Sequence, residues 1–252
     1  MITDPLFYAV AIPGVLLVGL SKGGFGGSIS LLAIPLMSLV ISPIQAAGIM
    51  LPILLVMDAV GLTAYRRIYH LPALKILLPA AVIGIIIGWL TAAWVTASHV
   101  RLIVGIVALL FTIDYWRGGA SREPAKESTA KGSFWGLIAG FTSFVSHAGG
   151  PPFQMYMLPL RLDPRHLAGT AIIFFASVNA IKVIPYFFLG QFDARNLATS
   201  AVLLPLAPIA TLTGVWLVKR IEPSVFYRVT YSVVFLVSLK LIWDGLRGVG
   251  VF

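Results

Sequence analysis

Long apolar runs recur along the chain and are separated by short polar or turn-forming segments. A helix rises 1.5 Å per residue, so a run of about 20 apolar residues can cross the ~30 Å hydrocarbon core of a membrane. The pattern therefore predicts an all-α polytopic membrane protein. We expect full crossings at residues 44–64, 74–95, 100–116, 166–189, 197–218 and 225–245.

Shorter apolar pieces occur in two pairs, and each pair flanks a segment rich in glycine. Their shortness predicts two re-entrant hairpins that enter from opposite faces, with their glycine tips near the membrane midplane. Irregular main chain at that depth is tolerated only where it is buried in protein or lines a cavity. The first pair is 6–20 and 29–41, around the glycine stretch 19–28; the second is 133–148 and 153–160, around Gly149-Gly150.

The two halves of the sequence match as a collinear set of positions, in which Asp58 aligns with Asn179. Each half holds an odd number of apolar pieces, which places the second half upside down relative to the first. The prediction is an inverted two-fold repeat with broken or re-entrant helices at the midplane, an architecture of secondary transporters. The repeats are expected at 1–118 and 133–252, joined by a cytoplasmic linker at 119–132.

Basic residues are distributed unevenly between the two sets of loops. If the loop 66–75 is cytoplasmic, then 117–131, 161–165 and 219–228 lie on the same side and hold most of the lysines and arginines. The positive-inside rule then predicts that both chain termini are extracytoplasmic. The sparsely charged side holds Arg101, Arg195 and Arg247, with Lys240 nearby.

Composition agrees with a lipid environment, because 59% of the 252 residues are hydrophobic and only 11% are charged. The net charge of +9 would suggest nucleic acid for a soluble protein. Here the basic residues stand at helix ends, which points instead to topology and to anionic lipids in the bilayer. The chain has no cysteine, which excludes disulfides and thiolate metal sites. We predict no removable signal peptide at the start of the sequence.

Lys22 stands inside apolar sequence, where a charged side chain is costly and is commonly functional. It is interpreted as a fixed charge for an anionic substrate; the alternative is a loop lysine at the cytoplasmic interface. Gly23-Gly24 and Gly149-Gly150 are candidate anion sites, since glycines expose main-chain N–H groups at the start of the next helix. The alternative for both pairs is close helix packing, as expected for Gly84 and Gly88.

Asp58 and Asn179 occupy matching positions and are candidate cavity or coupling residues, together with Lys182 one turn from Asn179. The alternative is that Asp58 is a structural partner of Lys22 or Lys182. One mechanistic hypothesis is that Asp58 holds Lys22 when the site is empty and is displaced, or protonated, when an anion arrives. That exchange would give a route to proton coupling.

A second group of polar residues supplies further candidate substrate contacts. His147 lies in the second glycine segment and is a candidate ligand; the alternative is a hydrogen-bonded core histidine. Serines in membrane helices often bond only to their own preceding turn, which is the alternative for the serines in this group. The other candidate donors to an oxyanion are Ser21, Ser28, Ser143, Ser146 and Gln154.

The glycine-rich motifs resemble those of a known family, the sulfite exporter TauE/SafE family. The resemblance covers nearly the whole chain and implies an inner-membrane permease for sulfite, organosulfonates or related anions. Lys22, His147 and Pro151-Pro152 depart from the more uniform glycine segments of the family, which leaves the substrate open. The matching motifs are Lys22-Gly23-Gly24-Phe25-Gly26-Gly27, Ile34-Pro35-Leu36, Pro43 and Ala47-Gly48 in the first half, and Gly149-Gly150, Leu158-Pro159-Leu160 and Ala168-Gly169-Thr170 in the second.

The prediction for function is a secondary transporter, expected to be an exporter, that binds small sulfur-containing oxyanions at the two glycine hairpin tips. The alternatives are an anion channel, a permease for a carboxylate or thiosulfate, and, third, an intramembrane enzyme. The four histidines show no metal-ligand spacing and the chain has no nucleotide-binding loop, so no cofactor and no enzyme activity are expected. Proton coupling and a homodimer are left open.

Overall fold

The structure is a computed structural model that describes residues 1–25, 33–92, 94–118 and 123–250. Within those ranges it is built of α-helices and one 3₁₀ turn, at Leu158–Leu160, which confirms the all-α prediction. The helices are α1 (Pro5–Gly24), α2 (Ala33–Met37), α3 (Pro43–Ala64), α4 (Leu71–Leu90), α5 (Ala97–Trp116), α6 (Thr129–Ser146), α7 (Gly150–Met157), α8 (Pro164–Phe188), α9 (Ala194–Leu203), α10 (Leu206–Val218) and α11 (Pro223–Gly248).

Several helices begin at an aspartate or serine whose side chain caps the first turn. Asp4 accepts a hydrogen bond from the Leu6 N–H at 2.8 Å, and Asp193 accepts one from the Asn196 N–H at 2.8 Å. Ser42 caps α3 in the same way. A short polar side chain at this position satisfies a main-chain N–H that the helix itself leaves unpaired. These caps place the helix starts where the polar breaks in the sequence predicted them.

The structure describes six helices long and apolar enough to cross a membrane, and five of them correspond to predicted spans. The sixth predicted span, 197–218, is broken at Leu204-Pro205 into α9 and α10, which pass the same test together and meet at a bend of 46°. The additional helix is α1, which runs for 20 residues and includes Lys22 and both glycines of the first pair. The loop predicted to begin at Gly19 therefore begins only after Gly24.

The loops predicted to share one side of the membrane do meet on one face of the molecule. His70 contacts Glu127 at 2.9 Å, and Arg165 donates to the Lys219 carbonyl at 2.9 Å. The Ala125 N–H donates to the carbonyl of Pro159 at 2.8 Å. We call this end of the molecule the linker face. The opposite end is the terminal face, where α1 begins and α11 ends. Which face is cytoplasmic stays a prediction.

The two halves pack against each other reciprocally. α1 packs along α10, and the corresponding helix of the second half, α6, packs along α4; α3 contacts α8 and α5 contacts α11. Glycines allow both close contacts: a side chain on Gly23 would meet the Val215 nitrogen at 2.9 Å, and one on Gly84 would meet the Phe141 nitrogen at 2.8 Å. This pattern is what a two-fold repeat produces. The inversion of the repeats across a membrane stays a prediction.

The second short pair forms a hairpin of a long and a short arm. α6 begins at Thr129, inside the segment predicted as linker, and ends at Ser146. α7 then returns beside it for only eight residues, and the chain reverses at Arg161, whose φ of 50° is left-handed. The segment 153–160 is thus no spanning helix, as predicted. In the first half, α2 returns beside α1, with Ala33 against Gly14.

Candidate functional site

Two cavities adjoin at His147, one at the centre of the protein and one toward the terminal face. The inner cavity, of about 30 Å³, lies among α1, α3, α6, α7 and α8. The vestibule, of about 390 Å³, is lined by the ends of α4 and α8 and the starts of α3 and α5. His147 lines both cavities and separates them. The inner cavity is lined by Lys22, Leu54, Ser143, His147, Gly149, Gly150, Phe175 and Asn179.

Lys22 and Asp58 form a buried ion pair beside the inner cavity. The Lys22 Nζ lies 2.5 Å from Asp58 Oδ1, and the Asn179 Nδ2 donates to Asp58 Oδ2 at 2.7 Å. The predicted match of Asp58 with Asn179 is thereby a direct contact between α3 and α8. The structure also supports the alternative in which Asp58 is the partner of Lys22. The positive charge of Lys22 is balanced in this arrangement.

Lys182 is a second buried lysine, and its surroundings differ from those of Lys22. Its side chain is fully buried, and its Nζ donates to the Ser143 carbonyl at 3.0 Å and lies 3.3 Å from Nδ1 of His147. In the described part of the chain, no carboxylate lies within ion-pair distance of this Nζ. An ammonium buried without a counter-ion is costly. An anion bound beside Lys182 would supply the missing counter-charge and stabilise its ammonium form.

His147 links Lys182 to the vestibule. It ends α6 in a left-handed conformation, with φ of 53°, and so turns its ring away from the helix axis. Nε2 lies 2.6 Å from the Tyr186 hydroxyl, while Nδ1 faces Lys182. When Lys182 is an ammonium it can only donate, so Nδ1 then accepts and Nε2 carries the ring proton. The hydroxyl proton of Tyr186, a residue that lines the vestibule, is then left for another acceptor.

Gly149 and Gly150 form the start of α7 and line the inner cavity. Neither N–H has an acceptor among the residues that the structure describes. The next two residues, Pro151 and Pro152, have no N–H to donate. The two glycines thus supply the free donors at this helix start, where the helix dipole favours an anion.

Gly23 and Gly24 are arranged differently from the second glycine pair. Both lie in the last turn of α1, so their N–H groups belong to the hydrogen bonds of that helix. A side chain on Gly24 would meet the Gly214 carbonyl oxygen at 2.9 Å. The Gly23 carbonyl accepts a hydrogen bond from the Tyr65 hydroxyl at 2.6 Å. This geometry supports the packing alternative for the first pair.

Three of the remaining sequence-predicted candidates, Ser21, Ser146 and Gln154, are not among the residues that line the inner cavity. Ser21 is buried in α1, and Ser146 donates to the Thr142 carbonyl of its own helix at 3.2 Å and lines the vestibule. Gln154 donates to the Phe25 carbonyl at 3.3 Å. Ser28 lies outside the described residues. Ser143, another candidate donor from the sequence, does line the inner cavity.

Two residues at the site were not predicted from the sequence. Tyr186 follows Lys182 by four positions, so both lie on one face of α8, and this spacing was the signal that could have found it. Arg101 lines the vestibule, whereas the sequence showed it only as one of the few charges on the terminal side. Within the described ranges, no group of three or more His, Cys, Asp or Glu residues could hold a metal ion.

The apolar helices define a polytopic α-helical membrane protein with a buried polar cavity at its centre. The family model "Sulfite exporter TauE/SafE" matches residues 11–241. The chain belongs to this family. It is 26% identical over 172 residues to the probable sulfite/organosulfonate exporter TauE of Cupriavidus necator. That alignment covers 66% of this chain and 64% of the relative, which is less than two thirds of the relative's length. No solved structure was found to match the chain.

Proposed function

We propose that this protein is a secondary transporter that exports small sulfur-containing oxyanions such as sulfite or organosulfonates. Its family and the name of its Cupriavidus relative support this substrate class. We place the anion in the inner cavity, at the second glycine pair. The sequence predicted anion binding at both glycine tips. The proposal keeps only the second tip, because the N–H groups of Gly23 and Gly24 are held within α1.

The charge balance around the inner cavity is the observation that carries the proposal. Lys22 is paired with Asp58, whereas Lys182 meets only neutral partners among the described residues. With both lysines protonated, the two lysines and one carboxylate leave one positive charge in excess. A single bound anion would neutralise it, and a bound cation would increase it. The site is therefore suited to an anion, and the desolvation cost of the buried ammonium favours binding.

The hydrogen-bond donors around the cavity are suited to an oxyanion. The N–H groups of Gly149 and Gly150 point out of the start of α7, and the Ser143 and Asn179 side chains line the same space. Hydrogen bonds to a charged acceptor are roughly twice as strong as neutral ones. An oxyanion would thus meet main-chain donors on one side and lysine on the other.

The inner cavity must widen to admit such an anion, since about 30 Å³ holds roughly two water molecules at most. We propose that the hydrogen-bonded pair His147–Tyr186 is the barrier on the terminal side, and that Phe25, which stacks on Phe226 with 5.8 Å between ring centroids, is the barrier on the linker side. If the terminal face is extracytoplasmic, as predicted, the vestibule is the exit path of an exporter. Alternate opening of the two barriers would complete a transport cycle.

The test is a ligand-dependent melting series on the purified protein in detergent. We expect sulfite or a sulfonate to raise Tm, and phosphate and carboxylates to raise it less. With sulfite as the ligand, Lys182→Gln should weaken binding about ten- to a hundredfold, the effect of losing a charged hydrogen bond. Lys126→Gln removes one lysine from the exposed linker and is the matched control. Equal stabilisation of wild type and Lys182→Gln would contradict the proposed site.

Transport itself separates this proposal from an anion channel. In proteoliposomes, a secondary transporter accumulates labelled substrate above the outside concentration when a proton or ion gradient is imposed. A channel equilibrates the anion according to the membrane potential alone. Accumulation that persists at zero membrane potential and disappears when the gradient is removed would support the transporter. Flux that follows only the potential would identify a channel.

A further inference from the structure

Arg101 is a charged residue in the vestibule, and among the described residues it has no hydrogen-bond or ion-pair partner. It lies in the second turn of α5, is half-buried, and lines the vestibule. The carboxylate of Asp244 in α11 acts on its guanidinium from a distance but is paired with Lys240. The five N–H donors of Arg101 are thus available to a ligand.

The walls of the vestibule differ from those of the inner cavity. Apolar side chains form most of the lining, among them Ile34, Val95, Phe144 and Leu189. A bare inorganic oxyanion loses hydration against such walls and gains no hydrogen bond from them. An organic anion with a small apolar body would gain from the same walls. The vestibule also has more than ten times the volume of the inner cavity, so the body has room.

We infer that the vestibule is a separate outer binding site for a small organic anion, whose charged head sits on Arg101 and whose short carbon chain lies on the apolar wall. This inference rests on the proposed function, because it adds a second binding site along the path of a transported anion. The outer site is predicted to prefer anions with a longer carbon chain, a preference that the inner cavity does not have. Each added methylene should raise affinity by up to about fourfold, since burial of one methylene contributes ~0.8 kcal/mol.

The test compares sulfite with methane-, ethane-, propane- and butanesulfonate by isothermal titration of the purified protein. In wild type we expect affinity to rise with chain length. Arg101→Gln should lower sulfonate affinity at least tenfold and remove the dependence on chain length, while sulfite still binds at the inner cavity. Lys182→Gln should have the opposite effect: sulfite binding falls and the sulfonate series persists.

Two further variants act as controls. Arg101→Lys keeps the charge and should retain part of the affinity, although it loses the two-pronged geometry of a guanidinium. Arg195→Gln removes one positive charge from the same face at an exposed position at the start of α9 and should leave the whole series unchanged. Tm without ligand would show whether Arg101→Gln is folded, and the wild-type series tests the inference without any variant.

The outcomes separate the two proposals. Equal affinity for all four sulfonates in wild type would overturn the outer site, and so would an unchanged series in Arg101→Gln. Loss of the sulfonate series together with sulfite in Lys182→Gln would also overturn it, because one shared site would then explain both ligands. In each of these cases the anion site at the inner cavity stands. If no anion binds to wild type, both proposals fail.

Discussion

The Nζ of Lys22 lies 2.5 Å from Oδ1 of Asp58, and the two side chains are only 4% and 3% exposed. The pair joins α1 to α3, and the amide of Asn179 adds α8 to the same carboxylate at 2.7 Å. Helices from both halves of the chain therefore meet at Asp58. A buried ion pair holds only while both partners are present, because either charge alone is costly in a low-dielectric interior. This relationship makes the stability of the protein sensitive to single changes at either residue.

A double-mutant cycle should reveal this dependence. Lys22→Gln leaves the Asp58 carboxylate buried with Asn179 as its remaining partner, and we expect a loss of about 3–5 kcal/mol. Lys22→Gln combined with Asp58→Asn removes both charges and should lose less than Lys22→Gln alone. The measurement is thermal unfolding in one detergent without anion. Losses that simply add in the double variant would contradict the coupling.

Gly23→Ala should destabilise the protein through packing and not through loss of a ligand contact. The new methyl group would press on α10, 2.9 Å from the Val215 nitrogen, and main chain cannot yield cheaply there. Overpacking of this kind costs about 1–3 kcal/mol. Gly84→Ala makes the equivalent contact between α4 and α6 and should cost a similar amount. The check is Tm with and without anion: if Gly23→Ala abolishes the anion-dependent shift but keeps Tm, Gly23 is a ligand contact after all.

The internal match of the sequence indicated one contact between the two halves of the chain. Aligning the halves placed Asp58 opposite Asn179, and the structure joins them by a hydrogen bond. Charge counting grouped the loops at His70, Arg165 and Lys219 on one side, and they do meet on the linker face. Both inferences depend on properties summed over many residues, such as repeat register and loop charge. A single residue that departs from the pattern therefore changes neither the repeat register nor the loop charge much.

The end of α1 was not predictable from local pattern. Glycine costs about 1 kcal/mol relative to alanine inside a helix, so Gly23 and Gly24 indicated a loop. Their packing against α10 offsets that cost, and α10 lies in the other half of the sequence. The break at Pro205 had a local signal, but Pro79 and Pro52 stand inside unbroken helices, so proline alone did not decide it. The sequence did not indicate Arg101 as a site residue, because the vestibule that it lines is formed only by the packing of several helices.

Topology can be tested on the natural chain, which has no cysteine. Lys126→Cys lies in the exposed linker and Arg195→Cys is exposed at the start of α9, on the terminal face. Each variant removes one positive charge, so the two are matched. With a membrane-impermeant thiol reagent on intact cells, we expect labelling at residue 195 and none at residue 126 until the cells are opened. Labelling at residue 126 and none at residue 195 would show that the predicted orientation is wrong and that the vestibule faces the cytoplasm.

Asp58→Asn tests whether anion binding is coupled to a proton. We propose that an arriving anion draws Lys22 away from Asp58 and that the buried carboxylate, left without its lysine, takes up a proton. Binding would then strengthen as pH falls, by up to about tenfold per pH unit for one coupled proton, because linkage makes the proton and the anion favour each other.

The amide in the Asp58→Asn variant cannot accept this proton, and Lys22 is then free for the anion at every pH. The variant should therefore bind about as tightly at high pH as wild type does at low pH, with a flat profile between. Methanesulfonate is the suitable probe, since its own charge does not change across the neutral range. Both Asp58 forms are measured in an Arg101→Gln background, so that the binding reports the inner cavity and not the outer site. Dissociation constants measured from mildly acidic to mildly alkaline pH decide the matter: a wild-type profile that is already flat, or a variant that keeps the wild-type slope, would remove Asp58 from the coupling and leave Lys182 and His147 as the groups to examine.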